Sequence, residues 1–289
     1  MLGNLVSDKT KNKTSSFFEI RRPHYFYKDL ILQKDILHEL FILQSMIENH
    51  DLVYKKWGMK KIDPYGNQMA FNLYGPPGTG KTMIVEALCN HLNRPLIDIN
   101  LSQLESRYVG ETGKNIVNAF ETAKKNEAVL FFDEADTVLS KRLSNVTQSA
   151  DSSVNTARGV MLKQLEQHSG IVAFATNFEC CYDPAFVRRI LKHIHVPLPD
   201  FDCRLKLWQS KLPSDVPGRS LIDFDALAQN SDQLSGGDIL VAVKNALFEA
   251  ASSVDQKITT DILLSAVLSV QEAKKRIGKK MTEIKNEFV

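Results

Sequence analysis

Short apolar runs alternate with amphipathic helical patterns over the first two thirds of the chain. Five runs read as strands: Met69–Tyr74, Pro95–Asn100, Ala128–Phe132, Gly170–Thr176 and, alternating more weakly, His193–Val196. Apolar residues recur at helical spacing before and between them, in Asp35–His50, Thr82–Leu92, Lys114–Lys125 and Ala157–Gln167. Buried strands that alternate with helices predict βαβ units, and therefore an α/β fold with a parallel sheet flanked by helices.

The pattern changes after Pro197-Leu198-Pro199-Asp200, where strand signals end. The remaining segments read as helices: Phe201–Leu212, Asp223–Asn230, Gly237–Ala251 and Thr259–Lys275. We therefore expect an α/β domain over residues 25–200 and a small all-helical domain with a C-terminal helix over residues 201–289. The polar, Lys/Ser/Thr-rich start predicts a flexible tail over residues 1–24, and the polar stretch Ser140–Thr156 predicts a mobile loop.

Composition places the chain among ordinary globular proteins. Of its 289 residues, 43% are hydrophobic and 24% charged, and the formal net charge of +2 favours neither nucleic acid nor an anionic membrane. No apolar stretch approaches the roughly 18–20 residues of a membrane span, and the first residues lack the apolar core of a signal peptide. The four cysteines show no CxxC spacing, which favours reduced thiols and predicts a cytoplasmic protein.

One motif carries clear chemistry. Residues 75–82 read Gly75-Pro76-Pro77-Gly78-Thr79-Gly80-Lys81-Thr82 and fit the phosphate-binding P-loop pattern, with a strand before them and a helix after them. The glycines let backbone N–H groups surround a phosphate, and the helix N-terminus adds partial positive charge. Lys81 is expected to reach the β- and γ-phosphates and Thr82 to ligate Mg²⁺. Met83, the next residue, completes the predicted nucleotide-binding set.

A second motif supplies carboxylates. The apolar run Val129-Leu130-Phe131-Phe132 ends in Asp133 and Glu134, about fifty residues after the P-loop. In a P-loop enzyme the first acid holds Mg²⁺ at the strand tip, and the second orients and deprotonates the attacking water. The pair therefore predicts a metal ligand, Asp133, and a catalytic base, Glu134.

Four motifs in this order resemble the AAA ATPases of the AAA+ superfamily: GPPGTGKT, FFDEAD, Ala175-Thr176-Asn177 and Leu234-Ser235-Gly236-Gly237-Asp238-Ile239. The resemblance covers about residues 25–270. It is strongest to the single-ring branch that includes katanin, spastin and the ATPase that disassembles ESCRT filaments. It implies ATP and Mg²⁺ as ligands, an α/β nucleotide domain followed by a four-helix lid, and a homo-oligomeric ring, expected to be a hexamer, that remodels or unfolds proteins through its pore.

The same resemblance implies roles within the nucleotide site. Asn177 matches the sensor that positions the hydrolytic water, with a strand-end cap as the structural alternative. Gly236 and Gly237 match the start of the lid helix that packs on adenine and ribose, and Ser235 with Asp238 also fits an ordinary helix N-cap. Asp29 and Ile31 match the opposite wall of the adenine pocket, although the family usually has glycine near Ile31.

The stretch Asp183-Pro184-Ala185-Phe186-Val187-Arg188-Arg189 resembles the family segment with arginine fingers, which act on the nucleotide of a neighbouring subunit. Arg189 is the first candidate and Arg188 the second, and the alternative is a pair of solvated helix-end arginines. The chain continues Ile190-Leu191-Lys192, without the family's Phe and acidic residue. Whether Lys192 replaces a second finger stays open.

A substrate-gripping role follows from resemblance at Ser106–Thr112. In the family, a basic, an aromatic and an apolar residue at this place project into the ring's pore, and here they are Arg107, Tyr108 and Val109. By this resemblance, Tyr108 and Val109 would grip an extended polypeptide without regard to its sequence. By the same resemblance, Ser140–Thr156 would be the second pore loop.

Two other function classes stay open at this stage. One is a nucleic-acid-loading ATPase of the helicase-loader or transposition-helper kind, which Arg107 permits and Tyr108-Val109 disfavours. The other is a nucleotide-switched regulatory assembly protein. Zinc chemistry is disfavoured, because His38-Glu39 lacks the second His of HExxH and the pair His193 and His195 lacks a third ligand. With no substantial recruiting domain visible, substrate choice is expected to come from an adaptor.

Overall fold

A computed structural model describes residues 18–64, 69–100, 112–139, 149–177 and 182–286. A six-stranded sheet lies at its centre, in the spatial order β1-β3-β4-β5-β2-β6. The strands are β1 (Ile20–Arg21), β2 (Met69–Tyr74), β3 (Leu96–Asn100), β4 (Val129–Asp133), β5 (Ile171–Thr176) and β6 (Lys192–His195). Strands β2 to β6 pair in parallel and only the short edge strand β1 is antiparallel, which confirms the predicted α/β fold.

Helices of the first part of the chain flank this sheet. They are α1 (Lys34–Glu48), α2 (Lys81–His91), α3 (Thr112–Lys125), α4 (Asp136–Leu139), α5 (Ser149–Gln167) and α6 (Pro184–Val187). Short 3-10 turns occupy Tyr27–Asp29 and Met59–Lys61, and a π turn occupies Leu52–Lys56. Each long helix lies within a few residues of its predicted place except α5, which begins earlier.

Both faces of the sheet are buried, which explains why its strands are apolar at successive positions rather than at alternate ones. In β4, Leu130 and Phe132 belong to the core beneath α3 and α5. The intervening residues Val129 and Phe131 belong to the core beneath α1 and α2. Two hydrophobic layers therefore hold the sheet, and the carboxyl ends of its parallel strands meet along one edge.

The C-terminal part of the described chain is helical, as its sequence pattern predicts. It contains α7 (Phe201–Lys211), α8 (Phe224–Asn230), α9 (Gly236–Ser252) and α10 (Thr260–Asn286), with a 3-10 turn at Arg219–Leu221. These helices bury their own apolar cluster around Trp208, whose indole N–H donates to Ser231 Oγ at 2.9 Å. The α/β part is thus followed by a helical domain with a separate core.

Two local expectations were wrong. The predicted mobile loop Ser140–Thr156 is helical from Ser149 onward, because α5 extends two turns before its apolar face begins, and residues 140–148 lie outside the described range. Residues 18–24, assigned to a flexible tail, include β1, which pairs with β3. Arg21 anchors this segment, since its guanidinium bonds Glu86 of α2 and Asp98 of β3.

Candidate active site

The P-loop joins β2 to α2 at the carboxyl edge of the sheet. Gly75 has φ +142°, and a Cβ there would lie 2.2 Å from the carbonyl oxygen of Val196. Gly78 has φ +77°, and its Cβ would lie 2.5 Å from Ser235 Oγ. These positions therefore require glycine both for the backbone conformation and for the close approach of neighbouring backbone and side-chain atoms.

Lys81 stands at the start of α2, and its ammonium is surrounded by acceptors. It donates to the carbonyl oxygens of Gly75 (2.7 Å) and Pro76 (2.9 Å) and to Asn177 Oδ1 (3.0 Å). The residue is only 7% exposed, so burial lowers the pKa of Lys81, while the charges of Asp133 and Asp136 act in the opposite direction. The Lys81 ammonium is therefore preorganised between the P-loop and the tip of β5 to bind a phosphate.

The next residue joins the P-loop to the tip of β4. Thr82 Oγ1 donates to Asp133 Oδ2 at 3.2 Å, so a hydroxyl and a carboxylate stand side by side. These hard oxygen donors suit Mg²⁺, which prefers oxygen ligands. Glu134, the following residue, is exposed, and its backbone has a left-handed φ of 51°. This conformation is unusual for residues other than glycine and asparagine. Its backbone N–H donates to Asp133 Oδ1 at 2.9 Å.

Asn177 follows the last residue of β5, and its backbone is anchored by Asp136 at the start of α4. Its N–H donates to Asp136 Oδ1 at 3.1 Å, while its side-chain oxygen accepts from Lys81. Asp136 is the last acid of FFDEAD, and the motifs predicted no role for it. The sequence does show a third carboxylate after the strand, at Asp136. Its proximity to Asn177 depends on the pairing of β4 with β5, which the sequence motif does not reveal.

A cleft of about 520 Å³ collects most of the predicted nucleotide site. Predicted site residues in its lining are Pro77, Gly78, Thr79, Gly80, Lys81, Thr82, Met83, Asp133, Glu134, Asn177, Asp29, Ile31, Gly236 and Gly237. Gly75 and Pro76 do not line the cleft, but their carbonyl oxygens accept hydrogen bonds from the Lys81 ammonium. Gly237 N–H donates to Gly78 O at 3.0 Å, so the helical domain contacts the P-loop directly.

Comparison with known proteins is consistent with this geometry. Residues 71–198 match the model of the "ATPase family associated with various cellular activities (AAA)". A proteasome-activating nucleotidase of Pyrococcus horikoshii is 30% identical over 281 residues, which is 94% of this chain and 68% of the relative. The chain belongs to the AAA family of ATPases. Membership in this family implies that the protein binds ATP.

Two further relatives match a shorter part of this AAA ATPase. Protein SUPPRESSOR OF K(+) TRANSPORT GROWTH DEFECT 1 of Arabidopsis thaliana is 32% identical over 183 residues, 62% of this chain. Vacuolar protein sorting-associated protein 4B of Mus musculus is 31% identical over 192 residues, 63% of this chain. In both cases the match spans 42% of the relative's length.

The arginine segment of the AAA ATPase lies away from the cleft. Arg189 is engaged within the chain: its guanidinium bonds Glu166 of α5, and Nη1 donates to Ala185 O at 2.8 Å. Arg188 is exposed, and no ion pair involves it within the described ranges. Lys192 pairs with Glu39 of α1 at 2.5 Å, so its charge already has a partner.

The histidine pair on β6 has aromatic neighbours. His193 stacks on Tyr182 and His195 on Tyr74, at ring-centroid distances of 6.2 and 5.1 Å. Within the residues that the structure describes, no cluster of three or more His, Cys, Asp or Glu side chains could hold a metal ion. The same residues contain no helix long and apolar enough to cross a membrane. The predicted pore residues Arg107, Tyr108 and Val109 lie outside the described ranges.

Proposed function

We propose that this AAA ATPase hydrolyses ATP in the cleft and uses the energy to remodel or unfold protein substrates. The observation that supports hydrolysis most directly is that four polar side chains from three elements meet in the cleft. Lys81 lies 3.0 Å from Asn177, and Thr82 lies 3.2 Å from Asp133. The charge and polarity of these groups are complementary to a triphosphate and its attacking water.

Each side chain has a distinct task in this proposal. Lys81 binds the β- and γ-phosphates in exchange for its present carbonyl acceptors. Thr82 and Asp133 hold Mg²⁺, which neutralises phosphate charge when bound. Glu134 accepts a proton from the attacking water, and Asn177 orients that water. The last two groups line the cleft beside the P-loop, which is where the γ-phosphate side of a nucleotide would lie.

A homo-oligomeric ring, which we propose to be a hexamer, would complete the site. Arg188 is the better placed finger, because it is exposed while Arg189 is bonded to Glu166. Arg189 then either stabilises the position of Arg188 or, once its bond to Glu166 is broken, acts as a second finger beside Arg188. Lys192 is disfavoured as a replacement finger because Glu39 already neutralises it. An arginine supplied from a neighbour raises phosphoryl-transfer rates by about 10³–10⁵.

Protein substrates are favoured over nucleic acid. Relatives of this chain include proteins named as a proteasome-activating nucleotidase and a vacuolar protein sorting-associated protein, and the net charge of +2 offers no polyanion attraction. In the proposal, Tyr108 and Val109 grip the polypeptide, an adaptor selects it, and the reaction takes place in the cytoplasm. The α/β unit begins with β1 and extends to residue 200, and the lid spans residues 201–289.

Replacing Glu134 by Gln tests hydrolysis directly. The amide cannot accept the water's proton, so steady-state ATP turnover should fall at least about 100-fold, in line with the loss of a positioned general base. ATP binding should persist, since Lys81 and the P-loop are unchanged. Glu127→Gln, at an exposed turn far from the cleft, is the matched control. Turnover by Glu134→Gln equal to that control would refute the assignment.

A second substitution separates hydrolysis from substrate work. Tyr108→Ala should retain ATP turnover while losing the unfolding of a fluorescent test protein, because it removes the grip and leaves the cleft intact. Tyr54→Ala, a substitution in the π turn, controls for the loss of a tyrosine. Normal unfolding by Tyr108→Ala would contradict the pore assignment without affecting the one for Glu134.

A further inference from the structure

Tyr182 precedes the arginine segment Asp183–Arg189, and its hydroxyl reaches the tip of β5. The hydroxyl oxygen lies 2.6 Å from Thr176 Oγ1 and accepts a hydrogen bond from Asn72 Nδ2 at 3.3 Å. Thr176 is 1% exposed and Asn72 is fully buried, so these bonds form in the interior, where a polar side chain needs a partner. Thr176 immediately precedes Asn177. The Tyr182 hydroxyl therefore holds the residue from which the predicted sensor extends.

The ring of Tyr182 packs against His193 of β6. The two rings stack with their centroids 6.2 Å apart and an angle of 21° between their planes. The His193 imidazole donates a hydrogen bond to the backbone carbonyl of Val187. Burial lowers the pKa of His193, so the ring is neutral at neutral pH. Its buried Nε2 has no hydrogen-bond partner among the described residues, which makes Nδ1 the nitrogen that carries the hydrogen.

The short helix α6 is held at both of its ends. Val187 is its last residue and Arg188 follows directly. A helix leaves carbonyl groups at its C-terminus without an intrahelical partner, and His193 supplies a partner for the carbonyl of Val187. Asp183 caps the other end by accepting from the Ala185 N–H at 2.9 Å. Because α6 has only 4 residues, these end contacts determine where Arg188 leaves the helix.

We propose that Tyr182 is a positioning residue that holds Asn177 and Arg188 in one fixed arrangement. Its hydroxyl acts on Asn177 through Thr176, and its ring acts on Arg188 through His193. This inference rests on the proposed function, in which Asn177 serves the chain's own cleft and Arg188 serves the cleft of a neighbour. The hydroxyl contact and the ring contact of Tyr182 therefore serve two different active sites, which makes their effects separable by experiment.

Mixed rings of two inactive variants separate the two contacts. Glu134→Gln copies do not hydrolyse ATP but supply Arg188 and Arg189, and we call them the arginine-supplying copies. Copies with Arg188→Ala and Arg189→Ala keep an intact cleft, and we call them the cleft-supplying copies. Turnover in the mixture comes from the cleft of one kind of copy and the arginines of the other, so a further substitution can be placed on either side of the shared site.

Tyr182→Phe removes the hydroxyl and keeps the ring, so it should act on the cleft alone. In the cleft-supplying copies it should lower turnover of the mixture about tenfold, since a small displacement of Asn177 misplaces the attacking water. In the arginine-supplying copies it should change turnover by less than about twofold. Tyr27→Phe is the control and should have no effect in either placement, because the buried Tyr27 hydroxyl has no hydrogen-bond partner in the described part of the chain.

His193→Phe should show the opposite pattern, because it keeps an aromatic ring beside Tyr182 and loses the bond to Val187. Turnover should fall about tenfold with this substitution in the arginine-supplying copies, and by less than about twofold with it in the cleft-supplying copies. A general structural role would lower turnover equally in both placements, and that result for either variant would overturn the proposal. Unchanged turnover in both placements would overturn it as well.

Two further measurements keep the test decisive. Thr176→Val removes the other end of the hydroxyl contact, so it should repeat the placement pattern of Tyr182→Phe, and it carries the test if Tyr182→Phe does not fold. The mixture without further substitutions separates this inference from the proposed function. If mixing alone does not raise turnover, the shared active site is refuted, and the role of Tyr182 is refuted with it. If mixing raises turnover but placement makes no difference, only the role of Tyr182 is refuted.

Discussion

At the scale of single residues, the P-loop shows how close contacts dictate identity. Gly75 follows β2, and its N–H donates to Thr176 O at 3.3 Å, while Val196 O leaves no room for a Cβ. The glycine therefore serves the pairing of strands as much as the phosphate cradle. The P-loop motif predicts the cradle, but the contact with Val196 depends on β6 lying next to β2, which the motif does not encode.

Gly75→Ala should lose at least about 2 kcal/mol of unfolding free energy, since the new methyl group meets backbone and the φ is strained. Gly159→Ala is the matched control. Gly159 is an exposed residue of α5 where a Cβ would meet nothing within 4 Å, so this change should stabilise by about 0.5–1 kcal/mol. Urea denaturation of both variants would check the pair. A stable Gly75→Ala would show that β6 can move away from the loop.

His168 predicts a pH dependence of stability. It is 5% exposed, packs edge-on against Phe120, and burial lowers its pKa from 6.5 to about 4, with Lys124 adding a smaller effect. The folded state therefore resists protonation while the unfolded state accepts it. The stability is complete above about pH 6.5 and falls by about 1.4 kcal/mol per unit as the pH drops toward 4.

The difference in unfolding free energy between pH 7.5 and pH 5.0 should shrink by about 2 kcal/mol in His168→Gln, which cannot be protonated. His38→Gln, at an exposed site on α1, is the control for the change of a histidine to glutamine. Urea titrations at the two pH values supply the measurement. An identical pH dependence in wild type and His168→Gln would show that the pKa of His168 is the same in the folded and unfolded states.

At the scale of elements, the predictable parts were those whose apolar residues repeat locally. The five parallel strands lie within about one residue of their predicted bounds because each is buried on both faces. The first two turns of α5 were missed because Ser149–Thr156 is polar, and its apolar face begins with Ala157 and continues at Met161 and Leu165. β1 has two residues and is held by ion pairs with distant residues, so no local pattern announces it.

The joint between α5 and α6 is held by a buried ion pair. Arg158 is 2% exposed and bonds Asp183 Oδ2 at 3.2 Å, and the other carboxylate oxygen of Asp183 caps α6 by accepting from Ala185 N–H. Because α6 precedes Arg188 and Arg189, this joint places the arginine segment relative to the sheet.

Asp183→Ala should cost about 3 kcal/mol or more, since it leaves the Arg158 charge buried without its partner. Asp223→Ala removes an N-cap of the same kind from α8 at an exposed site, and should cost about 1 kcal/mol. Thermal denaturation of the two variants gives the comparison. Equal losses would mean that the cap alone, and not the ion pair with Arg158, carries the effect of Asp183.

At the scale of the whole molecule, the nucleotide site is assembled from parts that are far apart in sequence. The P-loop, the tips of β4 and β5, the segment around Asp29, and the helices α7 and α9 all reach one cleft. The motifs predicted most of these contributors. The α7 wall with Lys211 was not predicted, because nothing local in Phe201–Lys211 distinguishes a cleft-facing residue from a solvent-facing one.

The helical domain touches the phosphate loop through a fixed contact. The N–H of Gly237 bonds Gly78 O, and Ser235 Oγ fills the space where a side chain on Gly78 would stand. Asp238 accepts from Ser235 and from Lys274 of α10, so the contact is linked to the last helix as well. A nucleotide bound at the P-loop would therefore be sensed by both parts of the chain.

The central claim is that ATP is hydrolysed between neighbouring copies, with Glu134 from one copy and the arginine segment from the next. Mixing two inactive variants tests it most directly. Glu134→Gln keeps Arg188 and Arg189, and the double variant Arg188→Ala with Arg189→Ala keeps Glu134, so a mixed ring contains some complete sites. ATP turnover should be low for each variant alone and should rise several-fold on mixing. Turnover in the mixture no greater than the sum of the two variants would contradict an active site shared between subunits.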